Sequence, residues 1–453
     1  MRTLFLAASV VTLACGGAEP TPVAPAGPTE VAPPTAPSAP LPSPVAAAPT
    51  GVPQEVPVPP AAPAAPTAVR GSVEAANGFA FRMFARARKS ASANVFMGPA
   101  SLRTVLAMTA LGAKATTMTE LSATLGLHDD PAKIAEDARE EDADLVRARG
   151  KGAQLFSANR LFGAKTFRTL PTFNALAGRG FGADLELLDF AESEKARATV
   201  NRWVSEHTAS KIPTLLPEGS VDGDTRLVLA NAMYFKGTWA AKFKPALTRA
   251  EPFYGDSAAS PTTAPTMHRK GAMTAGAFPG GKILELPYDR TDLAMDIVLP
   301  DDKKGLEALE ANLDEAVFTR WTRYLGGMTV DLSLPKFKMD WGGPVNRDLQ
   351  ALGIRAAFSS REAPIADFTG IAPPNPTGPL FISAVFHQAF VAIDEAGTEA
   401  AAASAVVTTM ITSVESEPPT MVFKADHPFF FVIRDTKKGR ILFMGHYRDP
   451  KVG

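Results

Sequence analysis

The sequence predicts an α+β domain, built on one large core, behind an N-terminal segment that does not fold. Three observations predict it. Of the 453 residues 45% are hydrophobic, ample for a core of that size. Apolar residues recur at helical spacing in some stretches, while others are short apolar runs bounded by proline or glycine, as strands are. Residues 16–69 lack both patterns. The net charge of −1 implies neither nucleic acid nor an anionic surface as a partner. Cys15 is the one cysteine, so no intrachain disulfide can form and packing must hold the fold.

Residues 1–15 read as a secretory signal peptide: Arg2 is the positive start, Leu4–Leu13 is apolar and the end is small. The apolar run is too short to span a bilayer. Leu13-Ala14-Cys15 resembles a bacterial lipoprotein processing site, with Thr12 where leucine usually stands. It implies lipid attachment at Cys15 and anchoring at a bacterial cell envelope. The alternative is plain export to the extracellular space. Residues 16–69 carry 17 of the 40 prolines, no aromatic residue and three charges, Glu19, Glu30 and Glu55. Such a segment stays extended and semi-rigid, a spacer of at most ~150 Å at ~3.1 Å per residue.

The globular part, 70–453, opens with a helix. Val73, Asn77, Ala80, Phe81 and Phe84 share a face, and Arg82, Arg86, Arg88 and Lys89 read as its solvated side. A second helix carries Val105, Leu106 and Thr109 after Asn94–Leu102, and the mixed charges of 128–152 read as a solvated helix with its loops. Ala158–Phe162 is strand-like and a helix lies around Thr172–Leu176. Gly178-Arg179-Gly180-Phe181-Gly182 reads as a turn, since no strand–helix unit frames it for a nucleotide. Val200–Thr208 is a helix closed by Pro213. Leu227–Met233, apolar on both faces, is an interior strand of a large sheet. Met267–Gly271, Lys282–Tyr288 and Ala294–Pro300 read as strands; Gly276–Ile283 is no phosphate loop, because Ile283 stands where Ser or Thr is needed. Phe429–Ile433 and Ile441–Met444 form a hairpin.

Between these elements lies Asp394–Thr412, DEAGTEAAAASAVVTTMIT. Its alanine run favours helix and its Val-Val-Thr-Thr tail favours strand. Thr398, Ala400, Ala402, Ser404 and Val406 are small at every alternate position, so as a strand the segment slots between existing strands without clash.

With its flanks, His387–Ile393 and Phe423–Phe431, this stretch resembles the reactive-centre loop of the serpins. Glu395, Gly397, Thr398, Glu399, Ala400, Ala401, Ala402, Ala403 and Ser404 match the hinge of their inhibitory branch. Further matches, in unbroken order over about 70–453, are Asn94–Leu102, Val200–Pro217, Thr225–Trp239, Met267–Gly271, Lys282–Tyr288, Ala294–Pro300, Leu332–Met339, Asp367–Ile371 and Ile441–Gly445. The resemblance implies three β-sheets, eight or nine helices and an exposed loop. It implies a monomeric inhibitor that traps a serine protease when the cut loop inserts into the central sheet. Counted as the family counts, the reactive bond is Ile411–Thr412, with Met410–Ile411 as the alternative. Ser101, Asn231 and His387 match a hydrogen-bonded latch under that sheet, and Trp239 its top, where the loop goes in. Gly98 replaces a family serine. The absence of Lys and Arg from Ala396 to Phe423 points to proteases of apolar primary specificity, of elastase, chymotrypsin or subtilisin type. The other readings are a non-inhibitory serpin (chaperone, carrier or decoy substrate) and a surface-binding lipoprotein that keeps the fold. No enzyme chemistry, metal or cofactor is expected: the six histidines lie far apart, no Gly-x-Ser-x-Gly elbow occurs, and Cys15 lies outside the domain.

Overall fold

The computed structural model describes residues 69–90, 94–183, 185–256, 260–361, 363–376, 378–398 and 420–450. The chain divides into two units, Met1–Ala64 and Ala65–Gly453, and all described residues belong to the second. The signal peptide with Cys15, the linker to residue 68, and 399–419 with Glu399–Ser404, Met410, Ile411 and Thr412 lie outside the described residues.

Helix α1 (Val73–Ser90) buries Phe79, Ala80, Phe81, Met83 and Phe84, the stripe its spacing requires. Its basic side is not simply solvated. Arg82 donates to the Thr124 carbonyl at 2.8 Å, Arg88 to the Glu310 carbonyl at 3.0 Å, and Arg86 lies 3.6 Å from Asp348. After β1 (Val95–Met97), Pro99 starts α2 (Pro99–Ala110), where its missing N–H is no loss. Helices α3 (Ala115–Leu125) and α4 (Pro131–Arg149) follow, and the Asp130 carboxylate caps α4 on the Ala132 N–H.

Then come β2 (Ala153–Ala164), α5 (Pro171–Phe181), β3 (Glu186–Leu188), α6 (Ser193–His207) and β4 (Leu227–Thr238). Two boundaries differ from expectation. The turn expected at 178–182 is the end of α5: a Cβ at Gly180 would lie 2.7 Å from the Ala135 Cα on α4, so glycine lets these helices touch. Helix α6 stops at His207, well before Pro213, because Ala209 and Ser210 adopt φ of 48° and 60°.

The second half runs β5 (Arg249–Phe253), β6 (Thr262–Phe278), β7 (Gly281–Pro287), β8 (Leu293–Pro300), α7 (Leu306–Ala311) and α8 (Glu315–Thr322). It continues with β9 (Gly326–Pro335), β10 (Phe337–Pro344), α9 (Asn346–Ala351), β11 (Ala384–Ile393), β12 (Gly397–Thr398), β13 (Thr420–Lys424) and the hairpin β14 (Phe429–Asp435) and β15 (Ile441–Tyr447).

Among the described residues these strands form two hydrogen-bonded sheets where three were expected. One has six strands, ordered β10-β11-β12-β4-β2-β3. The other has nine, in the path β1-β15-β14-β8-β7-β6-β9-β13 with β5 beside β6. The 17-residue β6 joins what would be two smaller sheets: its start pairs β5, its middle β9 and its end β7. The six-stranded sheet has a core on each face. Leu227, Leu229 and Tyr234 of β4 pack in the cluster that holds α1 and α2 residues, while Met233 and Phe235 join Phe431 and Phe443 of the other sheet. Burial on both faces is why β4 reads as an unbroken apolar run.

Candidate functional site: a half-opened sheet

Strands β4 and β11 pair directly and in parallel from Val228↔Ala384 to Tyr234↔Phe390. Higher up they part, and β12 lies between them, antiparallel to both, with Thr398 opposite Ile393 on one side and Gly237 on the other. Two residues of the expected hinge, Gly397 and Thr398, are therefore already strand. Glycine is required at 397: a Cβ there would meet the Gly237 carbonyl oxygen at 2.1 Å, and its φ of 155° disfavours a side chain.

Asp394 turns the chain back. Its carboxylate accepts from the Ala396 and Gly397 N–H groups at 2.8 and 3.1 Å. Trp239 holds this turn from the sheet side, its indole N–H donating to the Asp394 carbonyl and its backbone N–H to the Ala396 carbonyl, both at 3.0 Å. The Trp239 ring stacks on Tyr288 at 4.7 Å, and the Tyr288 hydroxyl shares a 2.7 Å hydrogen bond with the buried Thr398 hydroxyl. Burial drives the Tyr288 phenol well above its usual range, so it stays neutral. Glu395 accepts from Thr248 at 2.7 Å and pairs with Lys336 at 2.8 Å. Burial opposes its charge, but those partners outweigh it and hold the carboxyl below its ordinary value.

Where β4 and β11 are still in contact, a buried polar row crosses the sheet. Asn159, Asn231 and His387 are register partners on β2, β4 and β11. The Asn231 amide donates to the Ser101 hydroxyl at 2.7 Å and to Asn159 Oδ1 at 2.5 Å. Ser101 donates to Asn159 at 2.9 Å and lies 3.1 Å from Ser157. His387 closes the row with Nδ1 on Asn231 Oδ1 and Nε2 on the Gly98 N–H at 3.1 Å. An N–H can only donate, so Nε2 is an acceptor, Nδ1 carries the proton and the ring is neutral. Burial agrees, taking the His387 pKa down to about 3. The glycine at 98 also has a reason: a Cβ there would sit 2.8 Å from the Met233 sulfur.

Of the residues singled out in the sequence, the structure brings Ser101, Asn231 and His387 into one network, and Trp239, Glu395, Gly397 and Thr398 into another. Sequence reasoning missed their partners Ser157, Asn159, Thr248, Tyr288 and Lys336. One signal was available, Ser157-Ala158-Asn159, two polar residues on a strand face that is otherwise apolar. Among the described residues no group of three or more His, Cys, Asp or Glu could hold a metal, and no helix is long and apolar enough to cross a membrane.

Residues 74–450 match the family model described as serpin (serine protease inhibitor). The leukocyte elastase inhibitors of Xenopus laevis and Homo sapiens are 38% and 37% identical to the chain over 381 and 382 residues, 82% of this chain and 97% of each relative. The solved structure of a serpin from the insect Tenebrio molitor, described as highly specific, superposes with a TM-score of 0.73 at 29% identity, covering 83% of this chain and 97% of that one.

Proposed function

Since this chain belongs to the serpin family of protease inhibitors, which are not enzymes, we propose that it traps a serine protease by loop cleavage and insertion. The observation that carries the reading is β12, two hinge residues already seated between β4 and β11 and continuous with a small-residue segment that fits the same slot. The protease nucleophile attacks the carbonyl of Ile411, the Ile411–Thr412 bond breaks, and Thr412 leaves as the amine. Its new end free, the chain after Thr398 pairs down the sheet and carries the acyl-linked protease with it. Gly397 to Ile411 is 15 residues, ~50 Å of strand, enough to carry the protease far from where it was cut.

The energetics favour this direction. Insertion must break the Asn231–His387 contact and the direct β4–β11 pairs, a loss of a few kcal/mol for the buried polar groups. It forms two new ladders, about ten further hydrogen bonds at about 1 kcal/mol each, and buries apolar side chains as well. The gain from the new ladders exceeds the loss.

The loop suits a protease with an apolar primary pocket, of elastase, chymotrypsin or subtilisin type, because it offers no cation to a buried acid. The relatives named as elastase inhibitors support this reading. The test is to mix the protein with one enzyme of each type and with trypsin. A covalent complex that survives denaturing gel electrophoresis, formed more slowly by trypsin than by the others, is expected. Cleavage without any complex would leave a decoy substrate instead. We assign Cys15 as the lipid-bearing residue of an exported, envelope-anchored form; Cys15→Ser should then move the protein to the soluble fraction, and a wild-type protein found wholly soluble would overturn it.

A further inference from the structure

A cavity of about 660 Å³ lies between α2, α4, α5 and β2, a size that suits a small organic ligand. Its wall is polar and apolar in about equal parts, the apolar part made by Met108, Leu127, Leu145, Leu155, Trp203 and Met233. The charged lining is mainly basic: Arg103, Arg139, Arg160, Arg179 and Arg440 against Asp137, Glu141 and Asp142. Glu141 is already engaged by Arg103 at 3.0 Å and Arg440 at 2.9 Å, so two guanidiniums share one carboxylate and a positive charge remains.

The donors are not all used. Arg103 is 4% exposed; its Nε donates to the Leu125 carbonyl and its Nη1 to Glu141, but its buried Nη2 has no hydrogen-bond partner. Arg160 donates through Nη1 to Glu186 and lies 4.9 Å over the Trp203 ring, and its buried Nε has none either. Buried N–H groups without partners are uncommon, and an acceptor in the cavity would satisfy them. Ser101, Ser157 and Asn159 of the polar row line the same cavity.

We propose that this cavity binds a small amphipathic monocarboxylate, its head accepting from Arg103 Nη2 in the field of Arg160 and its body against the apolar part of the wall, and that the occupant opposes loop insertion. The second half rests on the trapping mechanism above. Insertion drives β4 from β11, and β2, paired to β4 over eleven register positions from Ala153 to Gly163, must move with it. The cavity wall then shifts, so a ligand fitted to the intact protein binds the inserted form less well, and by reciprocity slows insertion.

Titration calorimetry of the full chain with decanoate and with decanol tests the site. One decanoate per chain is expected, at least tenfold tighter than decanol. Ala138→Phe, which fills the cavity from α4, should abolish both, and Arg103→Met should reduce decanoate to the level of decanol. Should Arg103→Met fail to fold, Arg160→Met, at a partly exposed side chain, must weaken decanoate and spare decanol. Equal binding of the two compounds, no binding of decanoate, or undiminished binding to Ala138→Phe overturns the site. The coupling is read with loop-cleaved protein, expected to bind decanoate at least tenfold more weakly; equal binding to both forms overturns the coupling alone. Failure to trap any protease would remove the trapping mechanism, while the titrations on intact protein would still decide the site.

Discussion

The same two strands meet in two ways along their length. Lower down, β4 and β11 pair directly, stitched by a buried row in which His387, Asn231, Asn159 and Ser101 leave few polar atoms unused. At the top the strands are parted by Gly397 and Thr398. In the upper slot Gly237 of β4 faces Thr398 and Gly397 faces Thr238, and positions 237 and 397 both reject a side chain for lack of room. The lower part carries bulk and polarity that must be displaced. One sheet thus holds closed and opened geometries together, and what separates them is the cost of breaking a satisfied buried network against the ease of adding backbone pairs.

The harshest way to break this comparison is Thr398→Arg. The side chain at 398 is buried against Tyr288, so an arginine would be forced unpaired into the slot at a cost of several kcal/mol. Cleavage should then outrun insertion, and gel densitometry should find cut protein in place of covalent complex. Unchanged trapping stoichiometry would sink the insertion mechanism.

Asn231→Ala attacks the lower half. It strips partners from His387 Nδ1 and Ser101, at about 2–4 kcal/mol by denaturant unfolding of the intact protein. Loop-cleaved protein, in which the row has already been parted, should lose less. Equal losses in the two forms would mean that the row does not hold the sheet closed.

Acid sharpens the same point. The unfolded chain protonates His387 near pH 6.5, whereas the fold holds it neutral to about 3. This contribution is therefore fully present above pH 6.5 and shrinks as pH falls toward 3, by about 2 kcal/mol at pH 5. Asp296, raised by burial to about 7 beside Arg434, has the opposite sign, because the fold takes up that proton before the unfolded chain does. Comparing wild type with His387→Gln at pH 7.5 and 5 isolates the histidine; identical pH dependence in the two would contradict the assignment.

The smallest effect is expected at Gly98→Ser. Its Cβ meets only the Met233 side chain, with the sulfur at 2.8 Å, and a methionine can yield. A loss of about 1 kcal/mol or less is expected in thermal melts. A larger one would show that the backbone bond from Gly98 to His387 had shifted.

What the sequence determined by itself was local or carried by pattern. Helical spacing marks α1, a two-faced apolar run marks β4, and two apolar runs around a Lys-Lys-Gly turn mark the β14–β15 hairpin. The resemblance to the family singled out Ser101, Asn231, His387 and Trp239, and alternation of small residues marked the segment proposed to insert, most of which lies outside the described residues. Only the tertiary structure decided that Gly178–Gly182 ends a helix, since the reason is the backbone of α4 pressed against Gly180. Only it brought Tyr288 to Thr398, 110 residues away, and Asn159 to Asn231, 72 away. It alone decided that Gly397 and Thr398 of the hinge lie inside the sheet. Strand register across such separations is set by the whole sheet and its burial, not by any window of sequence. The same burial, together with the Gly98 N–H, keeps His387 neutral, a state that the sequence of that strand cannot encode.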